Sequence, residues 1–348
     1  MAVNFYNTRS GANTRSGLNT RSHLNTRMGF TDDEFYTDAY HSPYLADALI
    51  TSREGVIGHA EDPLPFDHDG RFGANGDVFR WAGEVRRTLF VGELAHDAKF
   101  VDGVVDGQPR ATLQINGQTV SLTRPTEQEL NASTEIGMVL GNAKLRRERE
   151  AEIHVQTSDL LPFFGSVVNL NAERQKYTVE LLNVVLDATV FCHMPLKHRL
   201  AVRRPSEIEP RVQPMLPVPG HGSYPSGHAT EARTLALVLI ELLQAAWKLP
   251  SHNANFQRWS QQITRHAERI AHNRVIAGVH YPCDSIAGFQ VADALAPAFV
   301  SRFRAQGSIL NQLWGKAIRE WEHLGSLPAA PPGPASAPTP ASEADPGE

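Results

Sequence analysis

The chain has 348 residues, 41% hydrophobic and 20% charged, and its 33 lysines and arginines against 38 aspartates and glutamates give a formal net charge of −5. That apolar share supports a packed core and excludes a disordered polyelectrolyte for the bulk of the chain, while the near-neutral balance gives no global pull toward nucleic acid or an anionic membrane. Any anion site must be local. Two cysteines, Cys192 and Cys283, are too few for a disulfide framework and lack the CxxC spacing of zinc or redox sites.

In chain order, Asn7, Asn13, Asn19 and Asn25 each open an Asn-Thr-Arg triplet. A period of six in polar residues carries too little apolar mass per repeat for a solenoid. Residues 1–30 read as a solvated low-complexity leader, with a basic arm for a partner as the alternative. They hold no apolar stretch of the secretory kind, and the longest apolar-rich run, 234–247, is broken by Glu241 and Gln244 and is too short for about 30 Å of hydrocarbon. A soluble cytoplasmic protein with no transmembrane span is expected.

Residues 31–110 mix glycine, aspartate and aromatic residues without a period and read as irregular. Between 111 and 122, two alternating segments flank Asn116-Gly117, the dipeptide that best supplies the two positive φ angles of a type I′ hairpin turn. Further along, apolar residues recur at helical spacing over 129–154, 172–192, 230–249, 255–276, 284–303 and 308–323. Pro195 is expected to stop the second of these helices, and Pro250 and Pro282 punctuate the later ones. Residues 327–348, rich in proline, alanine, serine and glycine, read as a disordered tail. The expected fold is mainly α: one helical domain over 31–326, its catalytic core at 129–305, and a small β-hairpin near 111–122.

Three segments concentrate residues that a core would not choose. In the first, Lys197 and Arg204 are seven apart, with Pro205 after them, and would share a face if the segment were helical; a solvated basic turn is the plainer reading. The second, Gly220 to Thr230, places Pro225, Ser226, Gly227 and His228 at the entrance of a helix. Backbone N–H groups, a hydroxyl and the positive end of a dipole meet there as an anion site, unless Ser226 merely caps the helix. In the third, Arg274 precedes His280 by six residues and Asp284 follows by four. A carboxylate at that distance can fix the imidazole tautomer and leave the other nitrogen for attack or ligation.

Together these are the parts for holding a tetrahedral oxyanion with three full positive charges. The order K-x6-R-P, P-S-G-H, R-x5-H-x3-D over Lys197 to Asp284 resembles the signature of the type 2 phosphatidic acid phosphatase and vanadium haloperoxidase superfamily. Asn273 departs from the serine often found before the arginine, at a position that looks peripheral. The resemblance implies a helical bundle with Lys197, Arg204 and Arg274 on the oxyanion's oxygens and Ser226 and the Gly227 N–H completing the cradle. By the same resemblance His280 is the nucleophile of a phosphatase or the direct ligand of vanadium in a haloperoxidase. His228 becomes the general acid or base, and Asp284 orients His280.

Vanadate and phosphate are near-isosteric, so the motifs serve either chemistry. The lack of membrane spans and of a secretory segment weighs against the lipid-phosphate and exported phosphatase branches. His221, seven before His228, lies where vanadium bromoperoxidases similarly carry a second histidine, and Ala229 after P-S-G-H is frequent in haloperoxidases. The expectation is therefore a haloperoxidase with vanadate as cofactor, oxidising a halide, bromide ahead of chloride, with hydrogen peroxide and acting on a small organic substrate. The alternative is a soluble acid phosphatase that hydrolyses a phosphomonoester through phospho-His280 without a metal; a non-catalytic oxyanion binder ranks third. No nucleic-acid partner is expected, and a homo-oligomer is allowed. His193 and His198 flank Lys197 and could line the pocket, and Cys283 reads as a small buried hydrophobe.

Overall fold

The computed structural model describes residues 77–250 and 253–322, together with Ala48 and Thr51. The 1–30 repeats, most of 31–76 and the 327–348 tail lie outside the described residues. After a short 3-10 turn at Val78–Arg80, helix α1 (Gly83–Ala95) leads into three antiparallel strands, β1 (Lys99–Val105), β2 (Gln108–Ile115) and β3 (Gln118–Thr123), in the order β1-β2-β3. Asn116 and Gly117 join β2 to β3 with φ of 44° and 77°, the two left-handed residues of a type I′ turn, and Ile115 faces Gln118 across it. The expected hairpin is present and has a third strand. Asp106-Gly107, at 51° and 77°, makes a second turn of the same kind between Val105 and Gln108.

Reading 31–110 as irregular is thus corrected over 78–110. Strand β1 is almost wholly solvent-facing, so it lacks the apolar alternation that marks a half-buried strand. Strands β2 and β3 do alternate: Ala111, Leu113, Ile115, Val120 and Leu122 are buried and turn the sheet's inner face onto the helices.

The expected helix at 129–154 is instead a series: α2 (Glu127–Leu130), α3 (Ile136–Asn142), a 3-10 turn (Ala143–Leu145) and α4 (Arg146–Val155), followed by α5 (Leu161–Val168). Asn131, Ser133 and Thr134 break the first part, being residues that bond locally to the backbone in turns. Helix α6 (Lys176–Leu200) runs through Pro195, which corrects the expected stop. Proline in a helix interior costs about 3 kcal/mol, and burial of Leu196 and Leu200 beyond it carries the helix on.

A short helix α7 (Pro205–Ile208) precedes α8 (Gly227–Trp247), α9 (Ala254–Ile276), α10 (Pro282–Arg304) and α11 (Ile309–Arg319). Helix α8 is central and packs on α6, α9 and α10. Gly288 lets α10 touch its entrance: a Cβ there would stand 2.8 Å from the Ser226 carbonyl oxygen and 2.9 Å from Ala229 Cβ. At the opposite end Trp247 meets Trp259 and Trp321 edge to face, and Trp314 stacks on Phe303. The stretch beginning with α6 is the one described segment long and apolar enough to cross a membrane, and 61% of its apolar window is buried inside the protein.

Candidate active site

The last turn of α6 presents Lys197. The helix ends at Leu200, Ala201 takes the left-handed conformation, and the chain runs extended to Arg204, the cap residue before Pro205 at the first position of α7. Lys197 and Arg204 therefore do not share one helical face. They converge because both grip the 221–223 loop. Lys197 Nζ donates to the carbonyls of Gly222 and Ser223 at 3.1 and 2.9 Å, and Arg204 donates to the His221 carbonyl through Nε and Nη2, each at 3.2 Å.

Ser226 caps α8, its Oγ accepting the Ala229 N–H at 3.3 Å. Capping uses one lone pair and leaves the hydroxyl proton to donate elsewhere, so the cap and the anion site are compatible. The Ser226 N–H donates to the Asp284 carbonyl at 2.8 Å, tying this turn to α10. Gly227 sits close to His193: a Cβ there would lie 3.1 Å from its Cε1, so any side chain would press on that ring.

Arg274 occupies the last turn of α9, and His280 sits in the link to α10, where Tyr281 is the cap, Pro282 the first residue and Asp284 the third. Asp284 Oδ2 accepts from His280 Nδ1 at 2.8 Å and from the Tyr281 N–H at 3.1 Å. His280 Nε2 stands 3.2 Å from Arg204 Nη1. An imidazole with Nδ1–H on a carboxylate and its Nε2 lone pair toward cations is in the tautomer that a nucleophile or a ligand requires.

Burial governs the electrostatics. Lys197, Arg204 and Arg274 are each no more than 2% exposed. Desolvation brings Arg204 to about 10 and Arg274 to about 9, and it lowers Lys197 well below its ordinary value with help from neighbouring Arg204. His280 is held neutral by burial and then by Arg204 and Lys197. His221 falls to about 4, chiefly through burial and then Lys197. Burial raises Asp284, against the pull of Lys197 and Arg204.

Of the three cations, Arg274 is not fully satisfied by the described residues. Arg274 Nη2 donates to the Ile153 carbonyl and to Gln156 Oε1, at 3.0 and 2.9 Å, whereas Nε and Nη1 are buried with no hydrogen-bond partner among the described residues. Orphaned donors on a buried cation are costly, and a tetrahedral oxyanion would satisfy them. The residues fit such a group.

His228 is half-buried on the first turn of α8, its Nε2 3.0 Å from the Gln156 carbonyl oxygen. His221 Nδ1 lies 3.1 Å from the Gly222 carbonyl and 3.2 Å from Arg204 Nη2, at the margin of the cluster. His193 is buried with Nε2 3.2 Å from Glu231, while His198 is exposed. Cys283 is half-buried beside Glu135, and burial pushes its thiol up, away from a reactive thiolate.

All three segments thus meet in one place. Sequence reading missed Gln156 and Glu231, and Asn273 is not peripheral: it is fully buried and donates to Glu152 and Gln156 at 3.0 and 3.1 Å. Glu152 and Gln156, four apart on one helix face, were the available signal. Residues 178–307 match the family model described as the PAP2 superfamily, a span that takes in all three segments. No curated protein matches the chain.

Proposed function

With its residues 178–307 making this chain a member of the PAP2 superfamily, we propose that the pocket binds vanadate and that the protein oxidises a halide, bromide ahead of chloride, with hydrogen peroxide. The observation that carries an oxyanion reading is Arg274: fully buried, with Nε and Nη1 unpartnered among the described residues. Lys197, Arg204 and Arg274 would hold the oxygens with the Ser226 hydroxyl and the Gly227 N–H, and His280 Nε2 would ligate the metal. When bound, vanadate supplies Lewis-acid activation of peroxide at constant oxidation state.

The chain's own part is positioning and proton control. Asp284 keeps the His280 proton on Nδ1, preserving the Nε2 lone pair. Since the Gln156 carbonyl can only accept, His228 donates to it from Nε2, and its imidazole would be the group that exchanges a proton with the reactants. The overall reaction, halide plus peroxide plus one proton to hypohalous acid plus water, needs that proton. His221 beside Arg204 favours the haloperoxidase reading, because a neutral imidazole there can tune the bound oxyanion by hydrogen bonding.

The His280–Asp284 pair also favours a second reading, phosphomonoester hydrolysis. His280 Nε2 would attack phosphorus, the ester P–O bond would break, and His228 would protonate the departing alkoxide. Water would then attack phospho-His280, giving a proton to His228 and releasing phosphate. One experiment separates the two on the same phosphate-free preparation: bromide-dependent halogenation of a dye with vanadate and peroxide, beside hydrolysis of an aryl phosphate. The expected result is halogenation that requires vanadate and is blocked by phosphate. Hydrolysis inhibited by vanadate, with no halogenation, would overturn the first reading in favour of the second.

A further inference from the structure

The oxyanion cluster draws on a residue outside the family span. Gln156 caps the C-terminal end of α4 and is 1% exposed. Its Oε1 accepts from Arg274 Nη2 at 2.9 Å and from Asn273 Nδ2 at 3.1 Å, and its main-chain oxygen lies 3.0 Å from His228 Nε2. Arginine is only a donor, so the amide oxygen, not the nitrogen, must face it. Asn273 also donates to Glu152, which is held by Arg269 through Nε at 2.8 Å. Arg269, Glu152, Asn273 and Gln156 form a continuous line of contacts ending on Arg274.

Two consequences follow for the chemistry. Tethering Nη2 aims the other guanidinium donors, Nε and Nη1, which have no partner among the described residues. The tether is also uncharged. A carboxylate at this position would accept the same two hydrogen bonds but would pair with Arg274 and spend its charge within the protein.

Resting on the oxyanion reading above, we infer that Gln156 is a positioning residue that sets both Arg274 and His228 and, being neutral, keeps the whole Arg274 charge for the bound oxyanion. The test compares inorganic phosphate binding to the full chain by calorimetry for wild type, Gln156→Glu and Gln156→Met, with a thermal melt of each. Gln156→Glu keeps the volume and both acceptor contacts, so a purely structural role predicts wild-type affinity. The account predicts binding weaker by about tenfold or more with a normal melt, as for loss of a charge-assisted contact. Gln156→Met, which loses the tether and adds no charge, is expected to weaken binding as well. Wild-type affinity in the folded Glu variant would overturn the role of Gln156 alone. No phosphate binding by wild type would overturn the oxyanion reading and this inference with it.

Discussion

The two ends of helix α6 hold charge in opposite ways. At its start, Glu320 of the segment after α11 accepts the Tyr177 N–H on Oε1 and both the N–H and hydroxyl of Thr178 on Oε2, all at 2.8 Å, and Trp321 donates to the same hydroxyl at 2.8 Å. A carboxylate at a helix N-terminus, with both oxygens bonded, is a structural charge. At its end, among the described residues, Lys197 hydrogen-bonds only to carbonyls, and Arg274 across the cluster has buried donors with no partner. Burial alone does not mark function; what separates the two ends is whether the protein itself completes the hydrogen bonds.

If that contrast is right, substitutions at the two ends should separate activity from stability. Arg274→Ala is expected to cut turnover by about 10²- to 10³-fold, the usual cost of one preorganised donor to a reacting oxyanion. Its thermal midpoint should hold or rise, because a buried, partly unsatisfied cation is removed; activity assays and melts on one preparation would check both. Glu320→Ala should do the reverse, losing about 2–3 kcal/mol in denaturant titrations through the hydrogen bonds to its charge, with turnover per folded molecule unchanged. Comparable activity losses at both ends would erase the distinction.

A smaller effect is expected with pH. His221 falls from 6.5 to about 4, so the unfolded chain binds its proton more tightly than the folded one. Its contribution is therefore fully present above pH 6.5, is lost as pH falls from 6.5 toward 4, and is constant below that. Because this residue is only half-buried, screening reduces the effect to about 1–2 kcal/mol over the window. His221→Ala should lose less stability than wild type between pH 6.5 and 4, measured by denaturant titration at each pH. Parallel curves would place His221 in a more solvated setting.

The same contrast explains what could be read from the residues. Asn116-Gly117 marked its turn because the constraint is local, and Ser226, His280 and Asp284 were legible because their types and spacing are short-range. Strand β1 was not, since its side chains face water and carry no alternation; Asp106-Gly107 was the overlooked sign. Pro195 misled because tertiary burial of Leu196 and Leu200 outweighs a local penalty. Gln156 and Glu152 reach Arg274 and Asn273 across more than a hundred residues, and their spacing on one helix face assigns no role until those partners are seen.

The most direct measurement is calorimetric titration of orthovanadate into the phosphate-free full chain, wild type beside Arg274→Ala. One site per chain is expected, competed by inorganic phosphate and weakened by at least about tenfold in the variant. Binding that ignores both phosphate and the loss of Arg274, or no binding at all, would contradict it.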